Sequence, residues 1–258
     1  MRKIPKLLQW IARCTLPAPV RVWLGARLYG QEYSPPPGWV RLGSLRRVTP
    51  ISRVWGCDRG RPIDRYYIER YLSDHAADIH GNVLEIGDSR YTHCYGGDRV
   101  TKSDVLHVKE GNPEATIVAD LSHAPEIPSN TFDCIIITQT LHLIYDVRAT
   151  IQTLYRILKP KGVALVTFPG ISQISHLAEK GWANSWYWSF TTNSAHRLFE
   201  EVFPAENVEV AAHGNVLSAI AFLHGLGAGE LCRKELDHYD ADYQLLITVK
   251  SVKPETKQ

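Results

Sequence analysis

Five short strand candidates recur between residues 83 and 168, at 83–86, 99–104, 115–119, 132–138 and 163–168, and helical patterns lie between them. Residues 147–158 show that spacing, with Val147, Ile151, Leu154 and Leu158 on one face. Strands alternating with helices favour a parallel sheet, because each parallel connection needs a crossover and a crossover helix covers the sheet. This pattern predicts an α/β chain with a doubly wound, mostly parallel sheet. Further on, it predicts a helix near 194–202, a strand near 208–211, an apolar helix near 216–226 and a closing strand at 243–249.

The first run ends in Asn82-Val83-Leu84-Glu85-Ile86-Gly87-Asp88-Ser89. In open α/β sheets, ligands sit beyond the carboxyl ends of the strands, where the strand order reverses. A glycine there lets the backbone approach a ligand closely, and neighbouring N–H groups can hold an anion. Glu85 equally suits hydrogen bonding to neighbouring backbone groups.

At 258 residues, with 44% hydrophobic and 22% charged, the chain suits one large domain with an appendage. Residues 1–70 hold 14 Lys/Arg against 4 Asp/Glu, leaving the remainder with 15 basic and 23 acidic residues. This asymmetry suggests either an anionic partner for a basic extension over 1–50 or an arm kept soluble by its charges. Within residues 2–16, Ile4, Leu7, Leu8, Ile11 and Thr15 share a helical face opposite Arg2, Lys6, Gln9 and Arg13. That helix suits peripheral contact with a membrane, its own domain or a second copy in a homo-oligomer. The break at Ser34-Pro35-Pro36-Pro37-Gly38 separates it from the compact domain, expected over 51–258. There, Pro62 suits the first turn of a helix running to about residue 76, with Ile63, Tyr67, Leu72 and Ala76 available for packing. Five scattered cysteines without a CxxC pair argue against a zinc site or disulfide framework and fit a reducing cytoplasm. No apolar run has the length of a membrane span, and Arg13, Pro17, Pro19 and Arg21 argue against a cleaved signal peptide.

Four landmarks follow one another along the strands: Glu85-Ile86-Gly87-Asp88, Asp104 as the end of the second strand, Asp120-Leu121 after the third, and Phe132-Asp133-Cys134-Ile135-Ile136 leading to Gln139-Thr140-Leu141-His142. Tyr155-Arg156-Ile157-Leu158-Lys159-Pro160-Lys161-Gly162 then leads into the fifth strand. Over roughly residues 60–250 the sequence resembles the class I, Rossmann-like S-adenosylmethionine-dependent methyltransferases. The block Trp55-Gly56-Cys57-Asp58-Arg59-Gly60-Arg61-Pro62-Ile63-Asp64-Arg65-Tyr66-Tyr67 is similar to that of a bacterial subgroup associated with glycan and glycoside biosynthesis.

The resemblance implies a seven-stranded sheet of order 3-2-1-4-5-7-6 with an antiparallel last strand, and S-adenosyl-L-methionine as cofactor. It implies that Glu85, Gly87, Asp88 and Ser89 face the methionine end and that Asp104 accepts from both ribose hydroxyls. Asp120 would accept from the adenine amino group, Leu121 would pack on the ring, and Gln139 and His142 would border the methyl-transfer channel. Asp133, at a strand start, reads as structural, and Asp104 also suits a helix cap. Where the family loop carries two or three glycines, this chain has Gly87 alone.

An alcohol acceptor needs a base, and His142 is the first candidate, with Asp58, Asp64 and His176 as alternatives. No metal-ligand spacing stands out. The aromatic stretch from Trp182 through Trp186, Tyr187 and Trp188 to Phe190 suits stacking on a sugar or arene, or serving as a lid's own core. Together with the subgroup's context, these features point to O-methylation of a sugar hydroxyl in a glycan, glycolipid or glycoside. The alternatives are a degenerate partner module of a glycosyltransferase, or a methyltransferase acting on another small molecule or nucleic acid. Gln139-Thr140-Leu141-His142 lacks the Asn/Asp-Pro-Pro-Tyr/Phe pattern of nucleic-acid enzymes, so no nucleic-acid partner is expected. The single glycine likewise disfavours a dinucleotide oxidoreductase.

Overall fold

The computed structural model describes residues 15–29, 34–35, 38–174 and 185–255. It divides into two compact units, 1–48 and 49–258. In the first unit, helix α1 (Ala18–Tyr29) starts where the carbonyl of Pro17 accepts from the N–H groups of Val20 and Arg21. The amphipathic helix expected over 2–16 lies almost wholly outside the described residues.

The second unit holds a seven-stranded sheet made of β1 (Gly81–Ile86), β2 (Val100–His107), β3 (Ile117–Val118), β4 (Phe132–Thr138), β5 (Leu158–Pro169), β6 (Val208–His213) and β7 (Leu246–Val252). The strand order is β3-β2-β1-β4-β5-β7-β6. The first five strands are parallel, and β7 runs antiparallel to both β5 and β6. This is the order the resemblance implies. The order reverses between β1 and β4, which opens a crevice at their carboxyl ends.

Successive strand residues point to opposite faces, so the sheet has two cores. Leu84, Leu106, Ile135, Ile137 and Val166 lie on one face, with Ile151, Leu154 and Ile157 of α3 (Val147–Ile157) and Phe199 of α4 (Thr192–Glu200). On the other, Val83, Cys134, Ile136 and Leu165 meet Ile63, Tyr67, Ile68 and Leu72 of α2 (Ile63–Asp74) and Phe222 of α5 (Val216–Leu223). Each such side chain contributes about 1.5–3 kcal/mol when fully buried. The helix starts are capped locally: the Asp146 carboxylate accepts from Ala149 N–H, and the Asn215 side chain accepts from Leu217 and Ser218.

Several boundaries differ from the sequence expectation. Strand β2 continues through Val105 and Leu106 to His107, so Asp104 does not end it. The closing strand starts at Leu246 rather than 243, because Tyr243 closes a turn on Asp240 and Leu245 N–H is bonded to the His213 carbonyl. Helix α2 ends at Asp74, and Ala76 belongs to a following 3₁₀ turn. The connections among β1, β2, β3 and β4 hold no α-helix; the first contains only a π turn (Thr92–Gly96) and a 3₁₀ turn. Asp133 accepts from Asn82 N–H at 2.8 Å and from Lys159 Nζ at 2.6 Å, which ties the starts of β1, β4 and β5 together. Among the described residues, no helix is long and apolar enough to cross a membrane, and no His/Cys/Asp/Glu group could hold a metal ion.

Candidate active site

The β1 lip of the crevice is Gly87, at φ +93°. Its N–H donates to the Leu106 carbonyl at 3.0 Å, and its carbonyl accepts from Asn112 Nδ2 at 2.6 Å. No atom lies within 4 Å of where a Cβ would stand, so the glycine faces open space. The β4 lip is Gln139, at φ +49°, whose N–H donates to the Thr167 carbonyl at 2.9 Å. Its buried Oε1 has no hydrogen-bond partner among the described residues.

The start of α2 reaches both lips. Gln139 Nε2 donates to Asp64 Oδ2 at 3.4 Å. Arg65 donates to the Tyr91 hydroxyl and sets its guanidinium 5.6 Å from the centre of that ring. Burial pushes the Asp64 carboxyl above its ordinary value, against the opposing charge of Arg65.

The expected site residues divide between these lips and other duties. Glu85 is buried and accepts from Tyr91 N–H at 3.2 Å, Thr92 N–H at 2.7 Å and Thr92 Oγ1 at 2.7 Å. Burial outweighs these bonds and raises its carboxyl to about 7. Glu85 therefore shapes the turn after Gly87 from below. Asp88 accepts from Arg90 N–H at 3.0 Å and pairs with its guanidinium at 2.8 Å. Ser89 donates weakly to Glu114 at 3.5 Å.

Asp104 lies opposite Leu84, three residues before the end of β2 and roughly 10 Å from it. It is 5% exposed, pairs with Lys102 Nζ at 2.8 Å and accepts from Thr116 Oγ1 at 2.9 Å. The register pairs Leu106 with Ile86, and His107 follows as the last residue of β2, with Nδ1 2.7 Å from the Lys109 carbonyl. Asp120 is exposed and accepts from both Ser122 N–H and Ser122 Oγ. Leu121 is buried in the core beneath α3 instead of lining an open surface. Beside it, a groove of about 280 Å³ opens between Ser122–Pro125 and the α3 residues Gln152 and Arg156.

His142 follows β4 as expected, but it is only 3% exposed. Its ring lies 4.2 Å from that of Trp186, and its Nδ1 has no partner among the described residues. Burial lowers its pKa to about 3, so the imidazole is neutral and a weak proton acceptor. Asp58 accepts from Ser52 Oγ at 2.5 Å, and His176 lies outside the described residues. Sequence reasoning gave no role to Arg65, Tyr91 or His107. The charged pair Asp64-Arg65, within the 55–67 block that runs into α2, was the available signal for the first two. For His107 there was none, because the strand was ended too early.

A family model described as a methyltransferase domain matches residues 79–166, which carry β1 to most of β5. No curated protein matches the chain by sequence. Among solved structures, the chain is similar to the YcgJ protein from Bacillus subtilis, at 15% identity over 74% of this chain and 99% of that one, with a TM-score of 0.46. It is similar to an S-adenosylmethionine-dependent methyltransferase from Archaeoglobus fulgidus, at 10% identity over 73% and 94%, with a TM-score of 0.49. A phosphoethanolamine N-methyltransferase from Haemonchus contortus, solved with S-adenosyl-L-methionine, aligns at 12% identity over 75% of this chain and 57% of that one, with a TM-score of 0.44. Likenesses this distant add nothing to the topology already described. The family match and the strand order together give the class I methyltransferase fold, and the enzyme type is an S-adenosylmethionine-dependent methyltransferase.

Proposed function

We propose that the protein methylates a hydroxyl of a sugar in a glycan, glycolipid or glycoside. The observation that carries this reading is an exposed aromatic rim beside the β4 exit. Tyr145 is 71% exposed, Tyr187 49% and Trp188 38%. Their rings lie 5.4 and 6.0 Å from one another through Tyr145. Tyr187 and Trp188 donate backbone N–H groups to the His142 carbonyl, and Trp188 Nε1 donates to the Ile144 carbonyl at 3.0 Å. Rigid rings held open to water suit the C–H face of a sugar, while neighbouring polar groups suit its edge.

The crevice fits the cofactor where Gly87 faces open space and Gln139 Oε1 lacks a donor. S-adenosylmethionine supplies an activated methyl group on a sulfonium. Gly87, with Asp88 and Ser89 beyond it, would take the amino-acid end on a turn that Glu85 holds. At the end of β2 the ribose falls to His107: the 2.7 Å approach of Nδ1 to the Lys109 carbonyl, shorter than its 3.3 Å approach to the Lys109 N–H, favours the tautomer with the proton on Nδ1, which leaves Nε2 to accept from a hydroxyl. Asp104, already bonded to Lys102 and Thr116, would steady the strand beneath. Asp120 stays the candidate for the adenine amino group. The protein's main task is alignment, since holding two reactants in a near-attack geometry can supply about 7–11 kcal/mol.

Purified protein with labelled S-adenosylmethionine and a panel of glycosides, phenols and lipid-linked sugars tests the reading. Label is expected on a glycoside, and label on phenols or protein alone rules the sugar out. The variant Gly87→Ala should bind the cofactor at least about tenfold more weakly, since the methyl group strains a left-handed backbone and fills the open space. Unchanged affinity by calorimetry would place the cofactor elsewhere.

A further inference from the structure

Two consecutive residues at the start of α2 bridge the crevice, Arg65 to the β1 lip through Tyr91 and Asp64 to the β4 lip through Gln139. Asp64 Oδ1 accepts from Arg65 N–H at 2.8 Å, and among the described residues the side-chain partner of Oδ2 is Gln139, at a long 3.4 Å. A carboxylate has about four acceptor positions, so this one keeps capacity on the side of the crevice. Next to it, the buried Gln139 Oε1 also lacks a donor. The other candidate bases are less suited: His142 is shut behind Trp186, and Asp58 is engaged by the Ser52 hydroxyl.

We propose that Asp64 is the base of the reaction, taking the acceptor's proton, with Gln139 as its positioning residue. The inference rests on the reading of the protein as a hydroxyl methyltransferase. In the step, the acceptor O–H bond breaks and its proton passes to the Asp64 carboxylate. The oxygen forms a bond to the methyl carbon, and the S–CH₃ bond breaks with its electron pair left on sulfur. The products are a methyl ether, a neutral thioether and a carboxylic acid that returns its proton to water. Burial strengthens the carboxylate as a base, whereas Arg65 weakens it. The other groups facing this pair are the Tyr91 hydroxyl and Asp88, itself paired with Arg90.

A carboxylate beside the reacting carbon also senses the sulfonium's charge. At several ångströms in a partly buried site, that attraction amounts to about a tenfold preference for charged S-adenosylmethionine over neutral S-adenosylhomocysteine. Calorimetry of both ligands on the full-length protein is the test. Asp64→Asn should lose this preference while its S-adenosylhomocysteine affinity stays within about twofold, which also reports that it is folded. Transfer to the best glycoside should fall at least about a hundredfold, and Asp58→Asn should change neither readout. Asp64→Glu, which keeps the charge on a longer arm, should retain the preference but lose transfer. Equal weakening of both ligands by Asp64→Asn would assign Asp64 to the amino-acid end of the cofactor and overturn the proposal. So would an unchanged preference, or full transfer by Asp64→Glu. If the unmodified protein binds neither ligand, the methyltransferase reading fails and takes this inference with it.

Discussion

Gly170→Ala is expected to destabilise the protein by about 3 kcal/mol or more, a loss visible as a lower urea midpoint. Gly170 follows β5, where its N–H donates to the Leu245 carbonyl at 3.0 Å and the next N–H, of Ile171, donates to the Gln244 carbonyl at 2.9 Å. A Cβ on Gly170 would stand 2.0 Å from the Gln244 carbonyl oxygen. That atom is backbone and cannot swing aside, so residues 244–246 must move away from β5. Such a shift strains both bonds and the bond from Thr192 N–H to Gln244 Oε1 at 2.8 Å, which helps start α4. Gly229 is the control, since nothing lies within 4 Å of its Cβ position. Gly229→Ala should change stability by less than about 1 kcal/mol. Equal midpoints for the two variants would show that Gln244 does not approach Gly170 as described.

Glu85→Gln is expected to abolish a pH dependence of stability that the unmodified protein shows. Burial raises the Glu85 carboxyl from 4.5 to about 7 in the folded state. Between those values the folded protein holds a proton that the unfolded chain has released. Stability from this residue is therefore greatest below pH 4.5, falls as pH rises, and levels off above about 7. The loss across that window amounts to about 3 kcal/mol at most. Glutamine does not titrate, but its amide nitrogen would face a backbone N–H now accepted by a carboxylate oxygen, at a cost of about 1–3 kcal/mol. The variant should therefore start out less stable in acid and close the gap as pH rises. Urea unfolding of both proteins across the window gives the comparison, and parallel curves would assign the titration to another group.

The alternation of strands and helices was legible because its cause is local. Val83, Leu84, Ile135 and Ile136 are apolar in short runs that only a sheet covered on both sides can bury, and Val147, Ile151 and Leu154 repeat at helical spacing. Phe132–Thr138 and the start of α3 at Val147 fall where the pattern puts them. The strand order came from the family resemblance, not from periodicity. Gly87 was legible as the residue that turns the chain out of β1, because its φ of +93° is one that glycine adopts without strain.

The other candidate residues depend on register and on long-range approach. His107 was missed because Val105-Leu106-His107 reads as readily as the start of a loop, and only pairing with β1 and β3 makes it strand. Asp104 looked like an edge residue for the same reason. His142 stands after β4 as the sequence suggested, yet its burial against Trp186, more than forty residues away, turns a plausible base into a neutral core ring.

By itself, then, the sequence determined that this chain forms a wound α/β sheet with a glycine at its first carboxyl end, since those features follow from which residues must leave water and which backbone angles they tolerate. Only the tertiary structure decided which polar groups face the crevice. A carboxylate's role depends on what the fold sets against it: Lys102 and Thr116 engage Asp104, Tyr91 and Thr92 engage Glu85, and Gln139 meets Asp64 across the opening.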